Sequence, residues 1–122
     1  MGAHRQHLEL ANERFDAAEE MTRQGKEHTA AHLYINAAIN YHNALCQKYL
    51  GKIPSHKDHG DTSYFKELSR FLQEDTQKYK AAYVFLMQHK SQAEYGIGLS
   101  LSATKQIRGR ASKIKEIAEP LI

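Results

Sequence analysis

The chain has 122 residues, with 17 Lys and Arg against 14 Asp and Glu for a formal net charge of +3, two prolines and one cysteine. That length allows a single domain (1–122) with a real core and no need of a disulfide or metal staple. One Cys excludes an intramolecular disulfide framework, and no apolar run approaches the roughly 20 residues of a membrane-spanning helix.

Period-two alternation and Asn-Gly hairpin signals are missing, so helices are the expected elements. The opening residues 1–6 carry no secretory pattern, and Gln6 stands where a myristoylation signal needs Ser or Thr. With the lone thiol, this fits a reducing, cytoplasmic setting.

The first predicted helix runs from about Ala3 to Gln24. Leu8, Ala11, Phe15, Ala18 and Met21 follow the three-four spacing of a buried stripe, and Glu9, Glu13, Asp16, Glu19 and Glu20 fall largely outside it. Gly25 suits the position just past a helix end, with Arg23 and Lys26 near the negative end of the dipole. A short turn should then make the next helix antiparallel to the first, with Thr29 as a candidate N-cap.

That second helix, Ala30 to Leu50, is the centre of the predicted fold. It holds no Asp or Glu, and Lys48 is its only Lys or Arg. Apolar residues cover most of its circumference, as in a helix enclosed by others. The remainder is a narrow uncharged stripe of His32, Asn36, Asn40, Asn43 and Gln47. Three readings of the stripe stay open: a wet groove, a homodimer interface made of self-complementary amides, or a ligand surface. Cys46 lies on the apolar arc, where a buried inert thiol is expected.

Residues 51–61 break the pattern with Gly51, Pro54 and Gly60. Asp61 or Thr62 should cap a third helix whose buried face starts at Phe65, Leu68 and Leu72. Glu74, Asp75 and Thr76 interrupt that face, so a kink or break belongs there. The pattern resumes at Tyr79, Ala82, Tyr83, Leu86 and Met87, continues to about Ala93 and stops at Gly96 and Gly98. Ser100 or Ser102 should cap the last helix, where Ala103, Ile107, Ala111, Ile114, Ala118 and Leu121 form the stripe and Pro120 ends it. The expected architecture is all-α: an antiparallel up-and-down four-helix bundle whose third helix is long and kinked or broken near 74–76.

Charge is unevenly placed. Residues 1–61 hold seven Lys and Arg against eight Asp and Glu; residues 62–122 hold ten against six. Lys105, Arg108, Arg110, Lys113 and Lys115 concentrate the excess on the last helix, which is compatible with a polyanionic partner and equally with a solvated face. Lys105, Arg108 and Lys115 are expected on its outer side, and Arg110 is expected to snorkel along the core or pair with Glu94. Gly109 is unfavourable inside a helix by roughly 1 kcal/mol, and spacing gives no reason for it.

Few motifs carry chemistry by themselves. His56, Asp58, His59 and Asp61 are metal-ligand types close together, yet they sit on a connector where capping is the plainer role. Arg23 and His28 match an Arg-x4-His spacing across a predicted turn. No phosphate-binding Gly-rich loop and no catalytic triad can be read from spacing, and nothing there calls for a metal or other cofactor.

The order of the pieces nonetheless resembles a known family. The carriers are an opening helix closed by Arg23-Gln-Gly25, an Ala/Tyr-rich helix around Ala37 to Leu45, Ser55-His56-Lys57 with Phe65 downstream, and Lys90-Ser-Gln-Ala-Glu94-Tyr95-Gly96. A last helix opened by Ser100 or Ser102, with Ala111 and Ile114, follows. Together they resemble the HEPN domain (higher eukaryotes and prokaryotes nucleotide-binding), in its small prokaryotic branch. The resemblance implies an antiparallel bundle, homodimers and a groove between the second and third helices. It also implies an RNA or nucleotide ligand, a toxin–antitoxin context, or a minimal nucleotidyltransferase as partner. Tyr41, His56, Phe65, Lys90, Glu94 and Tyr95 fall on its recurrent positions.

Two departures bear on activity. Lys90 stands where the branch has Arg, and the ribonuclease signature, Arg followed four to six residues later by His, is missing from the end of the third helix. The resemblance therefore implies a binding module with no catalytic residues, its candidate contacts being His89, Lys90, Tyr95, Arg108 and Arg110. The alternatives are a metal-independent ribonuclease or toxin using His56, His59 or His89 with Lys90 or Arg110, and a homodimeric assembly module without ligand.

Overall fold

The computed structural model describes residues 2–54, 63–95 and 98–122, and every regular element within them is helical. Helix α1 spans Ala3–Arg23 and α2 spans Glu27–Leu50. They are followed by α3 (Ser63–Leu72), a 3-10 turn at Gln73–Asp75 and α4 (Thr76–Gln88). The short α5 covers Lys90–Tyr95, α6 covers Leu101–Ala118, and a 3-10 turn at Glu119–Leu121 follows. Among the described residues no helix is long and apolar enough to cross a membrane.

Helix α2 is enclosed, as its composition demands: fourteen of its 24 residues are buried. α1 lies along one side and α6 along another, while α5 packs near its start and α3 near its end. α1 is antiparallel to α2, since Glu19, Arg14 and Asn12 meet Tyr34, Asn40 and Tyr41 in turn. α6 runs parallel to α2. His28 donates to the Leu99 carbonyl at one end (3.1 Å), and Lys48 donates to the carbonyls of Leu121 and Ile122 at the other (3.0 Å each). α4 lies against α6 on the side away from α1, with the Arg110 guanidinium over the Phe85 ring.

The helix boundaries follow from local chemistry. Gly25 takes a left-handed φ of 76°. Its N–H donates to Thr22 (3.0 Å) and that of Lys26 to Met21 (2.9 Å), a Schellman closure of α1. The turn is tight enough that α2 starts at Glu27, ahead of the expected Ala30, with Lys26 rather than Thr29 in the cap position. Ser100 is the cap of α6, its Oγ accepting from the Ala103 N–H at 3.0 Å.

The expected third helix is interrupted twice. The break near 74–76 falls where the apolar spacing lapses, and Gln73 sits there at φ 52°, a left-handed conformation in a residue with a side chain. The second break, at His89, was not expected; its cause is a local competition. The His89 ring Nδ1–H donates to the Phe85 carbonyl at 2.9 Å, the acceptor its own backbone N–H would use in a continuing helix. That N–H turns to Leu86 instead, and α5 starts afresh with Ala93 N–H on the His89 carbonyl.

Leu45 and Leu68 are fully buried in this core. Leu45→Ala is expected to lower the free energy of unfolding by about 2–5 kcal/mol, and Gln73→Gly to raise it by about 1 kcal/mol by relieving the left-handed backbone. Denaturant titration of the two variants checks both signs.

Candidate functional site

Helix geometry divides α6 into three sectors. At 100° per residue, Thr104, Ile107, Ala111, Ile114 and Ala118 share one direction, and all are buried. On one flank of that stripe lie Arg108 and Lys115, facing α1. On the other lie Gln106, Arg110 and Lys113, facing α4, while the exposed Gly109 lies opposite the stripe.

The α1 flank is neutralised within the chain. Arg108 donates to Glu19 Oε2 at 2.8 Å, and the same oxygen accepts from the Tyr34 hydroxyl at 2.8 Å. Lys115 pairs with Glu119 at 2.7 Å and lies over the rings of Phe15 and Tyr41. Arg108 is exposed as expected but reaches to Glu19 of α1, and Lys115 is only partly exposed, held by Glu119 just past its own helix.

The α4 flank is different. Between α4 and α6 run two adjoining hollows of about 430 and 480 Å³ that share Ala81 and Arg110. Their cations are Lys78, Lys80, Arg110 and Lys113, their amides Gln77, Gln88 and Gln106, and no carboxylate lines either one. Among the described residues Lys78, Lys80 and Arg110 make no ion pair; Lys113 makes an exposed one with Glu116 at 3.4 Å. Phe85 stands at the rim between two partners. The His89 ring packs on it at a centroid distance of 4.3 Å, and the Arg110 guanidinium lies 4.8 Å from its centre. Arg110 therefore stacks on Phe85 and does not pair with Glu94. The Nδ1–H bond to Phe85 leaves His89 Nε2 as the unprotonated nitrogen of the neutral ring.

Of the five expected contact residues, His89 and Arg110 are brought together and the other three are not. Arg108 is on the α1 flank. Lys90 opens α5, and Tyr95, 75% exposed, closes it beside a separate hollow of about 210 Å³ shared with His28, His32 and Glu94. Lys78, Lys80, Lys113 and Phe85 were missed. A helical count of α4 sets Lys78 and Lys80 on different sides, so only the tertiary placement of α4 beside α6 brings Lys78 near Arg110 and Lys113.

The amide stripe of α2 is internal at its centre. Asn40 and Asn43 are buried at 6% and 8% exposure, and Asn40 Oδ1 accepts from Arg14 at 2.7 Å. Only His32, Asn36 and Gln47 partly reach the surface, and the first two bond to each other at 3.1 Å. Within the stripe, Asn40 and Asn43 are enclosed by the fold, while His32, Asn36 and Gln47 stay partly exposed. Of the residues at family-recurrent positions, Tyr41 is buried with its hydroxyl on Asn12, Phe65 is buried and Glu94 is exposed. His56, with Asp58, His59 and Asp61, lies outside the described residues. Among the described ones no three His, Cys, Asp or Glu gather as a metal site would require.

One buried polar cluster gave no sequence signal beyond a His four residues before a Cys. His42 Nδ1 is 2.8 Å from the Tyr79 hydroxyl, Cys46 Sγ is 3.6 Å from His42 Nε2, and the rings of Phe65 and Tyr83 pack on the imidazole. The cluster is sealed from solvent and ties α2 to α3 and α4, so its role is cohesion.

Compared with protein-family models, curated proteins and solved structures, the chain matches none of them.

Burial pushes the Cys46 thiol up to about 12, with the Glu67 charge adding to the effect. Native protein at pH 8 is expected to resist thiol reagents that label it rapidly in guanidinium; equal rates in both would contradict the burial. Burial likewise raises the phenols of Tyr34, Tyr41, Tyr79 and Tyr83. The folded state then favours their protonated form, so this contribution to stability is whole below about pH 10 and is lost as pH rises further. In an alkaline titration their phenolate absorbance should appear together with loss of helical circular dichroism.

Proposed function

We propose that the chain is a HEPN-like four-helix bundle, with α3, α4 and α5 together as its third helix, and that it acts as a non-catalytic cytoplasmic module binding RNA or a nucleotide. The observation that carries this reading is the lining of the α4–α6 groove, four cations and three amides with no carboxylate among them; the carboxylates of Glu74, Asp75 and Glu116 lie in the adjoining hollow that Lys78 and Lys113 also line. A water-exposed groove of that make-up favours phosphate over protein carboxylates in rigid surroundings, and Gln side chains offer both donors and acceptors to bases and sugars. Phe85, held between Arg110 and His89, fixes the Arg110 guanidinium at one end.

The homodimer implied by the family resemblance would have to use a surface other than Asn40 and Asn43, which are already buried. The resemblance also implies a minimal nucleotidyltransferase as the protein partner, within a two-component or toxin–antitoxin system.

A second reading is favoured by one observation. Arg110 and His89 flank the same ring, and His89 Nε2 is the basic nitrogen of its neutral form, so a phosphate clamp and a proton acceptor stand near each other. Used together they would make a metal-independent ribonuclease.

Binding of a fluorescent oligouridylate should weaken with salt, with a slope of log K against log salt of about −3 when all four groove cations take phosphates. Absent or salt-independent binding would remove the RNA reading. Cleavage of the same probe by wild-type protein, abolished in His89→Ala, would promote the ribonuclease instead.

A further inference from the structure

The sequence at the end of α4 contains no helix breaker. Residues 88–95 hold no Gly, no Pro and no β-branched side chain, and their spacing continues that of α4. At 100° per residue, a helix running straight on would place Ala93 on the buried side with Tyr79, Ala82 and Leu86. Gln92 and Tyr95 would fall in line with Gln77, Ala81 and Gln88. The chain breaks at His89 all the same, where φ is −103° and ψ is 1°. Little holds the break. The His89 ring keeps the Phe85 carbonyl at 2.9 Å and packs on the Phe85 ring. Beyond it α5 has six residues and buries only Ala93, and a helix that short has little stability of its own.

We propose that His89 is a latch between two forms of this segment: the broken helix of the structure and a continuous helix over 76–95. In the broken form the ring takes the Phe85 carbonyl and the His89 N–H goes to Leu86. α5 then lies against the start of α2, with Tyr95 beside His28, Thr29 and His32. In the continuous form the ring turns to water and the His89 N–H takes the Phe85 carbonyl itself. One acceptor passes between two donors of the same residue, so the exchange leaves no backbone group unpaired. The broken form keeps Ala93 seated, and the continuous form gains uninterrupted helix. Neither side of this balance is large, which is the condition for two populated states.

The exchange changes two surfaces at once. Straightening carries α5 off the start of α2, so Tyr95 leaves the hollow it shares with His28 and His32. It also lengthens the α4 wall of the α4–α6 groove from Gln88 to Tyr95, about 10 Å at 1.5 Å per residue. Gln92 and the exposed Tyr95 come to stand along that wall. The imidazole leaves Phe85, the ring on which Arg110 rests. One histidine thus sets both the length of the wall and the cover of the hollow, whatever the groove binds.

NMR relaxation dispersion on the whole chain tests the latch without any ligand, so its outcome is separate from that of the polyanion reading. Wild-type protein should show residues 89–95 exchanging with a minor form populated at roughly 0.1–10%, with a helical Cα shift at position 89. His89→Ala removes the ring donor and favours helix, so the minor form should gain about tenfold. His89→Asn keeps a short side-chain donor and suits a helix end, and should stay close to wild type. A nitroxide on Tyr95→Cys, with Cys46 buried and closed to the label, should broaden the Thr29 and His32 amides. That broadening should weaken when His89→Ala is added. Flat dispersion over 89–95 in wild-type protein would overturn the latch, as would a minor form that is unfolded at position 89. An unchanged population in a folded His89→Ala variant would overturn it as well. Should that variant not fold, the wild-type dispersion decides alone.

Discussion

A helix that is apolar nearly all round must be covered on nearly every side, and that requirement on α2 organises this protein. Most of the chain's large buried side chains either belong to α2 or pack on it, among them Tyr34, Tyr41, Leu45, Phe65 and Tyr79. Burying so much of one helix also traps its polar groups, and their partners come from α1 and α4. Arg14 of α1 answers Asn40, Asn12 answers Tyr41, and Tyr79 of α4 answers His42. A buried polar group left unpaired costs about 1–3 kcal/mol. These bonds therefore fix which helix covers which flank more sharply than apolar contact does.

The same arrangement sorts the charges of α6. With α1 on one flank, Arg108 and Lys115 meet Glu19, Glu119 and aromatic faces, and their charge is used up in cohesion. With α4 on the other flank, the cations face lysines and glutamines across an open channel. Like charges facing each other are mildly destabilising, and among the described residues Lys78, Lys80 and Arg110 form no ion pair, although Arg110 rests on Phe85 and Lys78 borders a hollow with Glu74, Asp75 and Glu116. An exposed glycine with no steric reason borders the same channel. Two independent departures from what stability favours thus coincide in one place, as expected of a surface kept for a partner.

Much of the fold was legible in the chain. The three-four spacing located Ala11, Phe15 and Ala18 of α1, Phe65, Leu68 and Leu72 of α3, and Ile107, Ala111 and Ile114 of α6, all of them buried. Turn chemistry located Gly25 and narrowed the last cap to Ser100 or Ser102, of which Ser100 is the one used. What stayed hidden depended on tertiary neighbours. The His89 break comes from a side chain capturing a backbone carbonyl, which no spacing rule signals. The amide stripe read as surface because uncharged polar residues are compatible with either environment, and only the Arg14 partner decides for Asn40. The groove was illegible because its cations come from two helices, and the family resemblance grouped as contacts Arg108 and Arg110, which lie on opposite flanks of α6.

On the proposed reading, the polyanion-binding surface is the α4–α6 channel and not the α1 flank or α5. An amide NMR titration with a short oligouridylate tests it most directly. Shifts concentrated at Gln77, Lys78, Ala81, Phe85, Gly109, Arg110 and Lys113 are the predicted result. Shifts centred on Glu19, Arg108 and Lys115, or on His28, His32 and Tyr95, would contradict it.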